Sequence, residues 1–112
     1  MTIQNLMDLE LFEVINEGEN LSRSITKPYC CDLLSVAMSS APEGCAWFTV
    51  MANLNTLAVA SLTETACVIL SQNAKLDDAA YKKAVEEGIT VFGTELSAFD
   101  AAVLVYEKLK EV

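Results

Sequence analysis

The chemistry open to this chain is restricted by what it lacks. It has no His, 16 Asp+Glu, seven Lys+Arg and four Cys. Without imidazole, the commonest general base and the commonest metal ligand are both missing. Neither a Ser-His-Asp nor a Cys-His arrangement can be assembled within the chain. The carboxylates form no acid/base pair: Glu86 and Glu87 follow Lys82 and Lys83 at i+4, the spacing of a solvated helix face. The cysteines Cys30, Cys31, Cys45 and Cys67 contain no C-x-x-C, and adjacent Cys30 and Cys31 in an extended segment point to opposite faces. Cys67 lies inside the apolar run Ala66–Leu70. They read as structural thiols, with a redox response at Cys30 or Cys31 as the alternative. No metal, no cofactor and no enzymatic activity are expected.

What remains is reversible binding by short polar side chains. The candidates are Asn53 and Asn55, then Ser71, Gln72 and Asn73, then Thr94 with Ser97, and Asp32. Their amides, hydroxyls and carboxylate can hydrogen-bond a small ligand, and helix N-termini behind them would offer N–H groups to a phosphate or carboxylate. The same residue types are what helix caps and turns require, so each also has a purely structural reading. No glycine-rich phosphate loop is present: Gly18, Gly44, Gly88 and Gly93 are isolated, and Lys75 is the only cation near these turns.

The elements that must carry these residues follow from the apolar pattern. Thr2 caps a short helix to Glu10, and Leu11–Ile15 reads as a strand closed by the turn Asn16-Glu17-Gly18-Glu19. An extended stretch is expected around Ser24–Lys27, with Pro28 limiting it to an edge or a strand end. Asp32 is expected to cap a helix through Leu33, Leu34, Val36, Ala37 and Met38 that stops before Pro42. Cys45–Met51 and Ala66–Leu70 are strands apolar on both faces, separated by a helix holding Leu57–Leu62. Asp77 caps a helix that places Ala80, Tyr81, Ala84 and Val85 on one face, with Gly88 just past its end. Ile89–Phe92 is a short strand. Ser97 and Asp100 then open a last helix with Phe99, Ala102, Val103, Tyr106 and Leu109 on its inner face.

Strands apolar on both faces, alternating with helices, predict a single α/β domain over residues 1–112: a mostly parallel β-sheet flanked by helices on both faces. In such a sheet ligands bind outside the carboxyl ends of the strands, which is where the candidate residues fall. A net charge of −9 argues against a nucleic-acid partner. No run approaches the ~18 apolar residues of a membrane span. Asp8, Glu10, Glu13, Glu17 and Glu19 precede the first basic residue, Arg23, unlike a secretory or transit segment, so the cytoplasm is the expected location.

From Leu21 to Ser35, with Tyr29-x-x-Asp32-Leu33-Leu34 its most specific part, the sequence resembles a DRTGG domain. The resemblance continues through Trp47–Met51, Ala66–Leu70 and Leu76–Val91, nearly the whole chain. Such domains resemble the N-terminal part of HPr kinase/phosphorylase. They also occur in phosphotransacetylases and between the CBS modules of some inorganic pyrophosphatases, as non-catalytic, often dimerising or regulatory units. Small stand-alone versions occur in anaerobic bacteria. The family is named for an Asp-Arg pair after one strand and a Thr-Gly-Gly turn after the next. The corresponding regions here read Asn53-Leu54-Asn55-Thr56 and Ser71-Gln72-Asn73, which puts side chains where a glycine backbone could otherwise approach a ligand.

The expected function is therefore a non-catalytic regulatory or interaction domain, acting as a homodimer or docking on a partner protein. The alternative is a sensor of a nucleotide or other small metabolite at the strand ends. The hydrophobic share of 53%, above the usual ~45–50%, points toward a contact surface. The last helix, with Val105 and Val112 off its inner face, is the expected candidate.

Overall fold

Every residue of three short strands is buried, as strands apolar on both faces require. They are β3 (Ala46–Thr49), β4 (Cys67–Leu70) and β5 (Thr90–Gly93), and the computed structural model describes residues 1–111 around them. β1 (Glu13–Asn16) and β2 (Pro28–Cys30) complete one sheet in the order β1-β5-β4-β3-β2. β2 to β5 are parallel, and β1 joins β5 antiparallel. Pro28, which has no N–H to donate, opens the edge strand β2, as expected. The stretch expected at Ser24–Lys27 shrinks to a single bridge between Ser24 and Thr2.

Alternate strand residues feed two cores. On one face Ala46, Phe48, Cys67, Ile69 and Phe92 pack with Ile3 and Leu6 of α1 (Ile3–Asp8) and Ala101 and Val105 of α5 (Ala98–Lys110). Phe12 meets Phe48 and Phe92 edge-on, each with ring centroids 6.3 Å apart. On the other face Trp47, Val68, Leu70 and Val91 pack with α2 (Leu34–Ser40), α3 (Leu54–Leu62) and α4 (Asp78–Glu87) through Ala37, Leu57, Ala60, Ala80 and Ala84. Trp47 also donates its indole N–H to the Cys31 carbonyl at 2.9 Å, so the largest buried ring is not left with an orphan donor.

Two glycines are dictated by geometry. Gly88 closes α4 in the left-handed region at φ +66°. A Cβ on Gly18 would collide with the Gly88 carbonyl, because the turn after β1 lies directly on the end of α4. The Gly18 N–H reaches Thr90 Oγ1 at 3.0 Å, and buried Asn16 donates its amide to the Ile89 carbonyl at 2.8 Å. Met1, Asn5, Asp8, Leu9, Lys108 and Glu111 line one hollow, so both described chain ends reach the same part of the surface.

Three expectations are corrected. Asp32 does not cap α2: Leu33 occupies that position with no side-chain bond, because the Asp32 carboxylate turns instead to the end of β3. The phase of α5 is rotated from the expected one. Ala101, Ala102 and Val105 face inward, while Phe99 and Tyr106 stand in solvent. Alanine lets the helix approach the sheet closely, and the bulky rings that suggested the inner face do not fit there. Val105, expected as a surface residue, is fully buried; Val112 lies outside the described residues. In α4 only Ala80 and Ala84 of the expected face are buried, and Tyr81 and Val85 are exposed for the same reason.

Candidate functional site

Parallel pairing sets the carboxyl ends of β2, β3, β4 and β5 along one edge of the sheet, and all eight predicted residues fall there. Four of them, Asp32, Asn53, Thr94 and Ser97, have their side chains engaged in holding the edge together. Asp32, after β2, accepts two hydrogen bonds on Oδ1, from Thr49 Oγ1 at 2.7 Å and from the Val50 N–H at 2.9 Å. It thereby ties the end of β3 to the loop after β2. Asn53 caps α3 by accepting from the Thr56 N–H at 3.1 Å, and Ser97 caps α5 by accepting from the Asp100 N–H at 3.1 Å. Thr94 Oγ1 accepts from the Leu96 N–H at 3.2 Å.

Gln72 and Asn73 both sit in the left-handed region, at φ 53° and 60°, which glycine adopts without strain. The turn thus places two residues with side chains in a conformation that favours glycine. Its N–H groups are not free for an anion: Gln72 donates to the Leu96 carbonyl at 2.9 Å and Asn73 to the Thr94 carbonyl at 3.0 Å. These bonds bring Ser71–Asn73 and Thr94–Ser97 together as one surface. The side chains of Asn55, Gln72 and Asn73 make no hydrogen bond among the described residues and remain open to solvent.

Two hydroxyls carry information that the sequence reading passed over or understated. Thr56 Oγ1 and Ser71 Oγ are fully buried and find no hydrogen-bond partner among the described residues. Thr56 was missed because a Thr inside an apolar helix run carries no signal of its own. Thr49 was missed for a similar reason, as part of a strand, yet it is the partner that orients Asp32.

Three hollows bear on ligand binding. One of about 430 Å³ opens beside the turn, lined by Asn73, Lys75, Thr94 and the start of β1. Glu13 and Glu95 share it with Lys75, so an anion there would meet one cation and two carboxylates. A second, of about 280 Å³, lies at the opposite edge of the sheet and contains none of the predicted residues. Glu19, Glu64 and Glu87 line it with Arg23. The Lys83 ammonium, 3.0 Å from Glu87, and the Ser61 hydroxyl hold the Glu87 carboxyl below the usual carboxylate range.

The third is a groove of about 320 Å³ between α5 and the edge strand β2, lined by Pro28, Phe99, Ala102, Val103 and the ring of Tyr106. Phe99 is 73% exposed and Tyr106 52%. Lys110 lies over the Tyr106 ring, 5.2 Å from its centroid. This groove was not legible from the sequence, because the expected helix phase turned both rings inward.

Burial disfavours the thiolate at three of the four cysteines, Cys30, Cys45 and Cys67. Cys30 Sγ lies 3.8 Å from the Ala98 carbonyl and Cys31 Sγ 3.3 Å from that of Leu33, so the neighbouring sulfurs face different helices, as extended geometry predicts. Burial, together with the nearby Asp32 carboxylate, pushes the Cys30 thiol up and away from the nucleophilic thiolate. Burial raises Cys45 and Cys67 as well. Among the described residues there is no group of three or more Cys, Asp or Glu placed to hold a metal ion, and no helix is long and apolar enough to cross a membrane.

No protein-family model matches the chain, and no curated protein sequence matches it. Three solved chains match its structure. One is the crystal structure of the CBS and DRTGG domains of the regulatory region of Clostridium perfringens pyrophosphatase, complexed with the activator diadenosine tetraphosphate. The TM-score is 0.75 at 17% identity, over 94% of this chain and 46% of that one. The likeness is one of fold, and this chain spans less than half the length of its neighbour.

Proposed function

We infer that this domain is a non-catalytic regulatory module that works by contact with another protein surface through the exposed face of α5. The observation that carries this reading is the apolar groove between Phe99 and Tyr106. Two aromatic rings left in water over a floor without polar groups are costly for an isolated monomer and useful for an interface. The solved neighbour supports the regulatory part, since that protein's region of like fold belongs to a regulatory segment. A photo-crosslinking residue placed at Phe99, compared with one at exposed Tyr81 on α4, tests the reading in the native cells. A crosslinked product at position 99 and none at 81 is expected; none at 99 would sink it.

A second reading, a metabolite sensor at the strand ends, has its own support. Asn73 and Thr94 line the hollow beside Lys75, and the neighbour's regulatory region was crystallised with a nucleotide activator. A ligand of the folded state raises Tm with its concentration. Thermal shifts with adenine mononucleotides and dinucleoside polyphosphates should then appear, and should shrink in Asn73→Ala. A flat screen removes this reading.

A further inference from the structure

In a parallel sheet each helix carries the chain back to the start of the next strand, so α3 and α4 end where β4 and β5 begin. The hollow of about 280 Å³ lies there. Ile3, Ala60, Ala66 and Ile89, all buried, give it an apolar floor. Its walls carry charges of both signs. Arg23 is half-buried and anchored: its Nη2 donates to the Glu64 carbonyl, and its backbone N–H to the Asn20 carbonyl at 3.0 Å. The remaining guanidinium N–H groups meet no partner among the described residues. No carboxylate oxygen of those residues comes within 4.0 Å of Arg23, although Glu19, Glu64 and Glu87 line the same hollow.

Glu87 is already matched, by Lys83 at 3.0 Å and the Ser61 hydroxyl at 3.0 Å. Glu19 is not. Its carboxylate lies against the end of α4, where a Cβ on Gly88 would come within 3.2 Å of Oε2, and no cation pairs with it among the described residues. The last turn of α4 holds no basic residue, so the helix dipole adds to the pull on a cation at that point. A guanidinium and a carboxylate thus face one hollow without closing on each other. We propose that the hollow binds a free α-amino acid with a short aliphatic side chain. The ligand carboxylate pairs with Arg23, whose planar fork suits it. The ammonium faces Glu19 and the end of α4, and the side chain rests on the apolar floor. A lone anion would meet Glu19 and Glu64, and a lone cation would meet Arg23, so a molecule carrying both charges fits best. The volume lies just under the ~300 Å³ at which sites for drug-sized ligands begin, which suits a molecule smaller than a nucleotide. None of these residues belongs to the α5 groove or to the hollow beside Lys75, so the site stands apart from both readings above.

The test is calorimetric titration of the full chain with L-valine and with two analogues that each keep one charge, valinamide the ammonium and isovalerate the carboxylate. L-Valine should bind, and each analogue should bind about tenfold more weakly or worse. Arg23→Gln and Glu19→Gln should each weaken L-valine by a similar factor, and selectively. Arg23→Gln should lose the preference for L-valine over valinamide, and Glu19→Gln the preference over isovalerate. A variant that is merely loosened would lose neither preference alone. Arg23→Gln gives up the bond to the Glu64 carbonyl, so if it fails to fold, Glu19→Gln, whose side chain anchors nothing, decides the matter. Absence of binding at about 10 mM L-valine overturns the proposal, since that excludes a Kd near 1 mM or tighter. Binding of either analogue as tight as that of L-valine overturns it too, as does L-valine binding unaltered by Glu19→Gln.

Discussion

At the carboxyl edge of the sheet, Asp32, Asn53, Thr94 and Ser97 each close a hydrogen bond within the chain, whereas on the exposed face of α5 Phe99 and Tyr106 close none and Tyr106 carries only Lys110 over its ring. The edge collects polar residues because short parallel strands entering helices need caps and turns, and those needs consume half of the side chains a ligand would use. The helix face carries large apolar groups that the fold does not need. Function is better sought where side chains are left over than where residue types merely look suitable.

The largest effect is expected at Asp32. Asp32→Ala leaves the buried Thr49 hydroxyl and the Val50 N–H without their acceptor, and urea unfolding should show a loss of about 1–3 kcal/mol. A loss below about 0.5 kcal/mol, within the range of an ordinary surface change, would mean the carboxylate does not hold the edge. Next come the caps: Asn53→Ala and Ser97→Ala should each cost about 1 kcal/mol and add when combined, since they serve separate helices. Asn55→Ala, which removes no cap, is the control and should stay within about 0.5 kcal/mol.

The two unpartnered hydroxyls sharpen the contrast. Replacing them with apolar groups, in Thr56→Val and Ser71→Ala, removes a buried polar atom that nothing satisfies, and unfolding free energies should rise by up to about 1 kcal/mol each. A fall instead would show that each hydroxyl has a partner in solution. The smallest effect is expected on the helix face. Phe99→Ser and Tyr106→Ser should leave stability within about 0.5 kcal/mol of wild type, because neither ring belongs to the core. A loss of several kcal/mol by the same unfolding measurement would place those rings inside the fold and end the comparison.

Much of this arrangement was legible in the sequence, and the remainder failed for identifiable reasons. Ala66–Leu70 and Cys45–Met51 declared buried strands by being apolar on both faces, and Thr2, Asp77, Gly88 and Ser97 marked helix ends through their capping chemistry. The line of candidate residues along one sheet edge followed from parallel topology alone. The phase of α5 did not follow, since aromatic mass outweighed the alanines that let a helix lie close to a sheet. Nor did the role of Asp32, whose partners Thr49 and Val50 lie far along the chain. Local propensity cannot see a bond made across two strands.

The hollow shared by Met1 and Glu111 has a topological consequence. With Met1 and Glu111 on one hollow, the path of the chain through the fold returns to the region where it starts, and a linker between them closes a loop whose entropic cost grows only slowly with its length. A circular permutant joined there and reopened at exposed Lys75, in the irregular segment between β4 and α4, would keep every strand pairing of the sheet. The architecture is set by which segments neighbour one another around that loop, so a different starting residue can encode the same domain.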